Sequence, residues 1–134
     1  MADQAPVGLV LASHATLAQG LRAAAEMIAG PQEHLAVVPL GPAENLDEYR
    51  AKLEAAAREV DTGRGVLVLV DLFGGSPGNT AAYLVSDQVE VVGGASLPML
   101  LEVLMARAAA SPDELAVLAA RAGREATIRF KEIL

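Results

Sequence analysis

The chain has no cysteine and no tryptophan, and aromatic residues make up only 3% of it. Without cysteine there can be no disulfide scaffold, no thiolate zinc or iron–sulfur site and no cysteine nucleophile, a composition that suits a reducing compartment. Basic residues are also scarce. Ten Lys and Arg stand against seventeen Asp and Glu, giving a net charge of −7. That balance argues against nucleic acid, whose binding rests on basic side chains neutralising phosphates. The excess acid lies in residues 1–96, which hold 12 acids and 5 bases. It reads first as a solvated surface and second as a face for a basic partner. Long unbroken apolar runs are missing too: uncharged windows are interrupted by Ser, His, Thr, Gln, Gly and Asn, so no membrane span is expected. Residues 1–5 carry an acid and no basic cluster, unlike a signal peptide. A cytoplasmic protein is expected, meeting membranes only through partners.

What the sequence does have is apolar bulk. Hydrophobic residues are 53% of 134, mostly Ala, Val and Leu, enough for one domain with its own core. Short apolar runs alternate with helical patterns. Val7–Ala12, Leu35–Leu40, Gly65–Val70 and Val89–Val92 read as strands buried on both faces. Between them, Thr16 with Gln19, Asn45 with Glu48, and Ser76-Pro77 are helix-start signals. The first helix should run to about Ala29 and the second to about Val60. Leu97, Leu100, Leu101, Leu104, Met105 and Ala108 form a helical stripe, and Ser111-Pro112-Asp113-Glu114 opens a last helix reaching about Arg121. Residues 126–131 (ATIRFK) alternate strictly and predict a half-buried, antiparallel edge strand. The fold class is therefore α/β: a single domain over 1–134, with a doubly wound, mostly parallel sheet of order 2-1-3-4 and helices on both faces. In such folds ligands sit beyond the carboxyl ends of the strands, at the switch point between strands 1 and 3.

Two unusual segments fall there: Ser13-His14-Ala15-Thr16 after the first strand and Asp71-Leu72-Phe73-Gly74-Gly75-Ser76-Pro77-Gly78-Asn79 after the third. Asp71 opposite His14 suits a carboxylate that accepts one imidazole N–H, fixing the tautomer and leaving the other nitrogen, expected to be Nε2, as a nucleophile. Gly74 and Gly75 allow close backbone approach before a helix N-terminus, an arrangement that favours an anion. Ser76 either caps that helix or donates to a phosphate oxygen. His34 precedes the second strand at the far end of the sheet and reads as a surface residue. The Gly-Lys-Ser/Thr ending of a phosphate-binding loop is missing. Gly74–Gly78 fits the serine nucleophile elbow, but both histidines precede Ser76, against that fold's order. A metal site is not expected, because only two good ligands converge.

The segments VGLVLASHATLAQGLRAAAEMIAG, VLVLVDLFGGSPGNTAA and VVGGASLPMLLEVL cover most of residues 7–104. On them the chain resembles the enzyme IIA component of the mannose/fructose/sorbose family of the bacterial phosphoenolpyruvate-dependent sugar phosphotransferase system. The resemblance implies that His14 is phosphorylated by the histidine phosphocarrier protein and passes the phosphoryl group to a IIB component, expected to be a separate protein. It implies that Asp71 orients the histidine, that Ser76 with Gly74 and Gly75 contacts the phosphoryl group, and that no cofactor is needed. It also favours a homodimer in which the 126–131 strand crosses to the partner; from the residues alone, pairing with the chain's own sheet is as good a reading. Ala15 stands where many members have Gly, and Gly78 where many have Phe, a change expected to affect partner docking. Two other readings are a phosphorylation-dependent regulatory module and the related dihydroxyacetone kinase phosphotransfer subunit, whose corresponding segment lacks GGSP.

Overall fold

A computed structural model describes residues 5–134. The elements are β1 (Gly8–His14), α1 (Leu17–Ala29), β2 (Leu35–Leu40), α2 (Leu46–Val60), β3 (Val66–Val70), α3 (Ser76–Ala81), β4 (Val89–Gly93), α4 (Leu97–Ala106) and α5 (Pro112–Glu125), with short 3₁₀ turns at Ala82–Leu84 and Phe130–Glu132. The four strands form one parallel sheet in the order β2-β1-β3-β4, as the alternating pattern predicts. Pro39 fits in β2 because that strand is an edge, where a missing N–H goes unneeded on the outer side.

The period-2 pleat of the two central strands divides the core. Leu9, Leu11, Leu67 and Leu69 pack with Ala18 and Ala25 of α1, Met99, Leu100 and Val103 of α4, and Leu115 and Ala119 of α5. Val10, Ala12, Val66, Val68 and Val70 pack on the other face with Tyr49, Leu53 and Val60 of α2 and Ala81 of α3. Every residue of β3 is buried, which explains its unbroken apolar run. Met105, assigned to the core stripe of α4, is exposed instead, and Ala108 lies past the helix end at Ala106.

Local signals account for most helix starts. Asn45 accepts hydrogen bonds from the Asp47 and Glu48 N–H groups, and Ser111 with Glu114 forms a complete capping box. Thr16 does not behave as its spacing suggests. Its side chain makes no capping hydrogen bond, and the hydroxyl of Ser13 takes that role by accepting from the Ala18 N–H at 2.8 Å.

The tail is the clearest departure. Residues 126–131 form no strand within this chain: Thr127–Arg129 have no regular structure, and Phe130–Glu132 close a 3₁₀ turn. The tail pairs with neither free edge, of β2 or of β4, so its alternating apolar residues find no sheet face. Ile128 is 52% and Phe130 71% exposed.

Two polar groups inside the fold carry structural weight. Arg107, 5% exposed, sits beneath the amino ends of the strands. Its guanidinium donates to the carbonyl oxygens of His34 (3.0 Å) and Glu33 and to Gln32 Oε1 (3.2 Å), and its own carbonyl accepts from the Val7 N–H. Burial pulls its pKa down. Tyr49 is fully buried and donates its hydroxyl to the Val38 carbonyl at 2.6 Å. Burial, with the Glu44 and Asp71 charges adding to it, pushes the phenol well above its ordinary value near 10. In the unfolded chain the phenol ionises first, so its contribution to stability is complete below about pH 10 and is lost as pH rises through the folded-state value. Tyr49→Phe should cost about 1 kcal/mol at pH 8, through the lost hydrogen bond, and should flatten the decline of stability above about pH 10. Urea unfolding of both proteins at pH 8 and pH 10.5 measures this; parallel declines would remove Tyr49 as the cause.

Candidate functional site

β1 and β3 lie side by side and end at the same edge of the sheet, which brings His14 and Asp71 together. The Asp71 N–H extends the ladder by donating to the Ala12 carbonyl, fixing where its side chain starts. One carboxylate oxygen, Oδ2, then accepts twice from His14: from the backbone N–H at 3.0 Å and from ring Nδ1 at 2.8 Å. An ionised carboxylate only accepts, so this contact suits the tautomer with the proton on Nδ1 and the lone pair on Nε2. Asp71 is nearly covered, with 9% of its side chain exposed, while the His14 side chain is 48% exposed. The other oxygen, Oδ1, is buried and has no hydrogen-bond partner among the described residues.

The loop after β3 comes up to the imidazole. A methyl group on Gly75 would lie 2.8 Å from His14 Cε1 and 3.4 Å from Nε2, so only glycine admits the ring in this position. Gly75 is the extended N-cap of α3 and offers no side-chain cap; Ser76 is the first helical residue, half-buried, so its hydroxyl is not the helix cap. The first-turn N–H groups of α3 therefore have no side-chain acceptor. Gly74 is held by Asn79, whose amide donates to the Gly74 carbonyl at 3.2 Å while its backbone N–H donates to that of Gly75. At Gly78 a methyl would lie 2.7 Å from the Leu72 carbonyl oxygen, so this loop conformation requires glycine there.

His14 thus meets Asp71 on one side and approaches Gly75 on the other, with Gly74 and Ser76 flanking Gly75. His34 is exposed at the opposite end, where its carbonyl accepts from the Leu9 N–H and from Arg107. Among the described residues no three His, Asp or Glu side chains gather as metal ligands. No helix among them is long and apolar enough to cross a membrane.

Sequence reasoning missed three residues here. Ser13 and Asn79 act through local hydrogen bonds that carry no spacing signature. Arg50 arrives from α2: it lines a groove of about 310 Å³ with Ser76, Asn79 and Tyr83, its guanidinium 4.3 Å from the centre of the Tyr83 ring. Only the packing of α2 against α3 puts a cation beside a segment that has none.

A family model described as PTS system fructose IIA component matches residues 8–119. The chain is 41% identical over 128 residues to the PTS system mannose-specific EIIAB component of Escherichia coli (strain K12), covering 93% of this chain and 40% of that protein. It thus spans well under half the length of that relative. It is 33% identical over 103 residues to the PTS system fructose-specific EIIA component of Bacillus subtilis (strain 168), covering 75% of this chain and 70% of that one. Among solved structures, the mannose/sorbose specific IIA subunit of the phosphotransferase system from Enterococcus faecalis superposes with a TM-score of 0.82 at 32% identity, covering 92% of this chain and 94% of that one.

Proposed function

This chain belongs to the family of PTS fructose IIA components, and from that premise we propose that it is a cytoplasmic phosphohistidine carrier with His14 as the residue phosphorylated. The donor is the histidine phosphocarrier protein and the acceptor a IIB component of a sugar permease. One observation carries the reading: Asp71 Oδ2 occupies Nδ1–H at 2.8 Å and leaves Nε2 as the free nitrogen of a half-exposed ring.

In the first step the Nε2 lone pair attacks the phosphorus of the donor's phosphohistidine. The N–P bond to the donor breaks, and its electron pair returns to the donor imidazole. His14 then holds the phosphoryl group on Nε2 and a proton on Nδ1, and the buried carboxylate of Asp71 offsets the charge on the ring. The second step repeats the exchange with the acceptor as nucleophile and His14 as leaving group. The Gly74–Gly75 backbone, the Ser76 hydroxyl and the uncapped start of α3 serve the three phosphoryl oxygens, since phosphoryl transfer asks a protein mainly to position groups and balance charge. Leu17, Leu72 and Phe73, all exposed at this edge, give partners an apolar landing surface. Incubation with phosphoenolpyruvate, the general phosphotransferase enzyme and the phosphocarrier protein should produce one acid-labile phosphate, mapping to the peptide that contains His14. Phosphate found on any other residue would overturn the assignment.

Asp71→Asn keeps the side-chain shape and removes the charge. Single-turnover transfer from the phosphorylated carrier protein should slow by roughly tenfold or more, the effect of losing about 1.4 kcal/mol from the barrier. Ser76→Ala should slow it less. An unchanged rate in Asp71→Asn would remove the carboxylate from the mechanism.

The protein also acts as a homodimer in this reading, with residues 126–131 adding a strand to the partner's sheet. Two features support it: the tail's apolar residues are exposed, and among the described residues no strand lies along the outer edge of β4. A strand laid there would satisfy the edge and cover the tail. Light scattering at micromolar concentration should give a dimer for the full chain and a monomer once residues 127–134 are removed. A monomeric full chain would defeat the dimer, and a dimer unaffected by truncation would defeat the exchange.

A further inference from the structure

We infer that Ser13 is a positioning residue for His14: its buried hydroxyl locks the two-residue turn from β1 into α1 and thereby sets the imidazole against Asp71. The inference rests on the carrier reading for its kinetic consequence, and on geometry alone for its structural one. Only Ala15 and Thr16 separate His14 from the first residue of α1. So sharp an exit forces Ala15 into the left-handed region at φ +47°, which an alanine adopts only under strain. Something must hold it there, and Thr16 contributes no side-chain bond.

Ser13, 1% exposed, makes two. Its Oγ accepts from the Ala18 N–H at 2.8 Å, tying down the start of α1, and donates to the His14 carbonyl at 3.0 Å, with the Ala15 carbonyl at 3.4 Å as the alternative. His14 is thus held on both sides. Its N–H is fixed by Asp71 Oδ2 and its C=O by Ser13 Oγ. Little slack remains between the ring and the loop, because Gly75 has no room for even a methyl group. If the peptide unit after His14 rotates, the ring must leave Asp71 or press on Gly75.

The experiment compares Ser13→Ala and Ser13→Thr with the parent protein by two measurements. Ring ¹⁵N NMR of His14 reports the tautomer without any phosphotransfer partner. In the parent the proton should sit on Nδ1; in Ser13→Ala the two tautomers should mix; in Ser13→Thr, which keeps the hydroxyl, the parent state should return. Steady-state transfer from the phosphorylated carrier protein should show kcat lower by roughly tenfold to a hundredfold in Ser13→Ala, the penalty of a displaced reacting group, with KM unchanged and kcat recovered in Ser13→Thr. A folded Ser13→Ala with the parent tautomer and kcat would reduce Ser13 to a helix cap and overturn the inference. A Ser13→Thr as impaired as Ser13→Ala would overturn it too. Should Ser13→Ala not fold, Ser13→Cys, which keeps the volume with a weaker acceptor, carries the same comparison. If the parent takes up no phosphate, the carrier reading fails while the tautomer comparison still decides the role of Ser13.

Discussion

His14→Ala is expected to take up no phosphate above background from the phosphorylated carrier protein, while its thermal unfolding stays close to that of the parent. The first half follows because Nε2 of the half-exposed His14 ring is the nitrogen that Asp71 does not engage, and alanine has no nucleophile to replace it. The second half follows from burial: the imidazole stands at the rim and packs into neither core cluster. The backbone N–H of residue 14 remains to bond Asp71 Oδ2, so the carboxylate is not stripped of its partners. His34→Ala should label like the parent, since it lies at the other end of the sheet. Labelling with radioactive phosphoenolpyruvate, followed by acid and base stability of the product, reads all three proteins. Full labelling of His14→Ala would sink the carrier assignment.

The second large effect is on stability and lies at the far end of the molecule. Arg107→Met should lower the unfolding free energy by about 3–5 kcal/mol, because it removes a charged donor from several buried or half-buried oxygens at once. Methionine keeps much of the volume, so the loss reports the hydrogen bonds more than a cavity. The segment these bonds hold, Gln32 to His34, leads directly into β2, and the Arg107 carbonyl receives the chain as it enters β1. Transfer by the molecules that remain folded should be unchanged. Urea titration measures the first claim and a transfer rate per folded protein the second; a loss below about 1 kcal/mol would mean that water replaces the guanidinium without penalty.

Strand runs and switch-point residues were readable in the sequence because burial on both faces and the position of a strand end leave chemical marks. Val66–Val70 is apolar throughout because helices cover it above and below, and Asp71 stands out as the first polar residue beyond it. The start of α1 misled for a definable reason. The spacing of Thr16 and Gln19 matches a capping box, but Thr16 adopts φ −95° and ψ 11°, outside the extended region from which a cap side chain reaches back. The residue that does cap, Ser13, lies inside a strand, where capping rules do not look. Arg107 gave no sign at all: nothing in Met105-Ala106-Arg107-Ala108 says that an arginine will be buried against loop carbonyls. The tail was legible only as a pattern. Alternation tells which residues share a face and is silent on which sheet, in which molecule, receives them.

The double hold of one Asp71 oxygen on the backbone and the ring of a single histidine makes that histidine a fixed post, in contrast to a swinging arm. The ring cannot turn away from this position without surrendering its bond to Oδ2, while the backbone bond keeps the carboxylate in place. On the carrier reading, cargo would arrive and leave through the same doorway, so the two partners would take turns on one footprint, and neither could wait in place while the other is seated. In a relay of this design throughput is governed by how fast spent partners vacate the doorway. A mutation that makes one of them stick more tightly would slow the whole chain of transfers even if each chemical exchange ran faster.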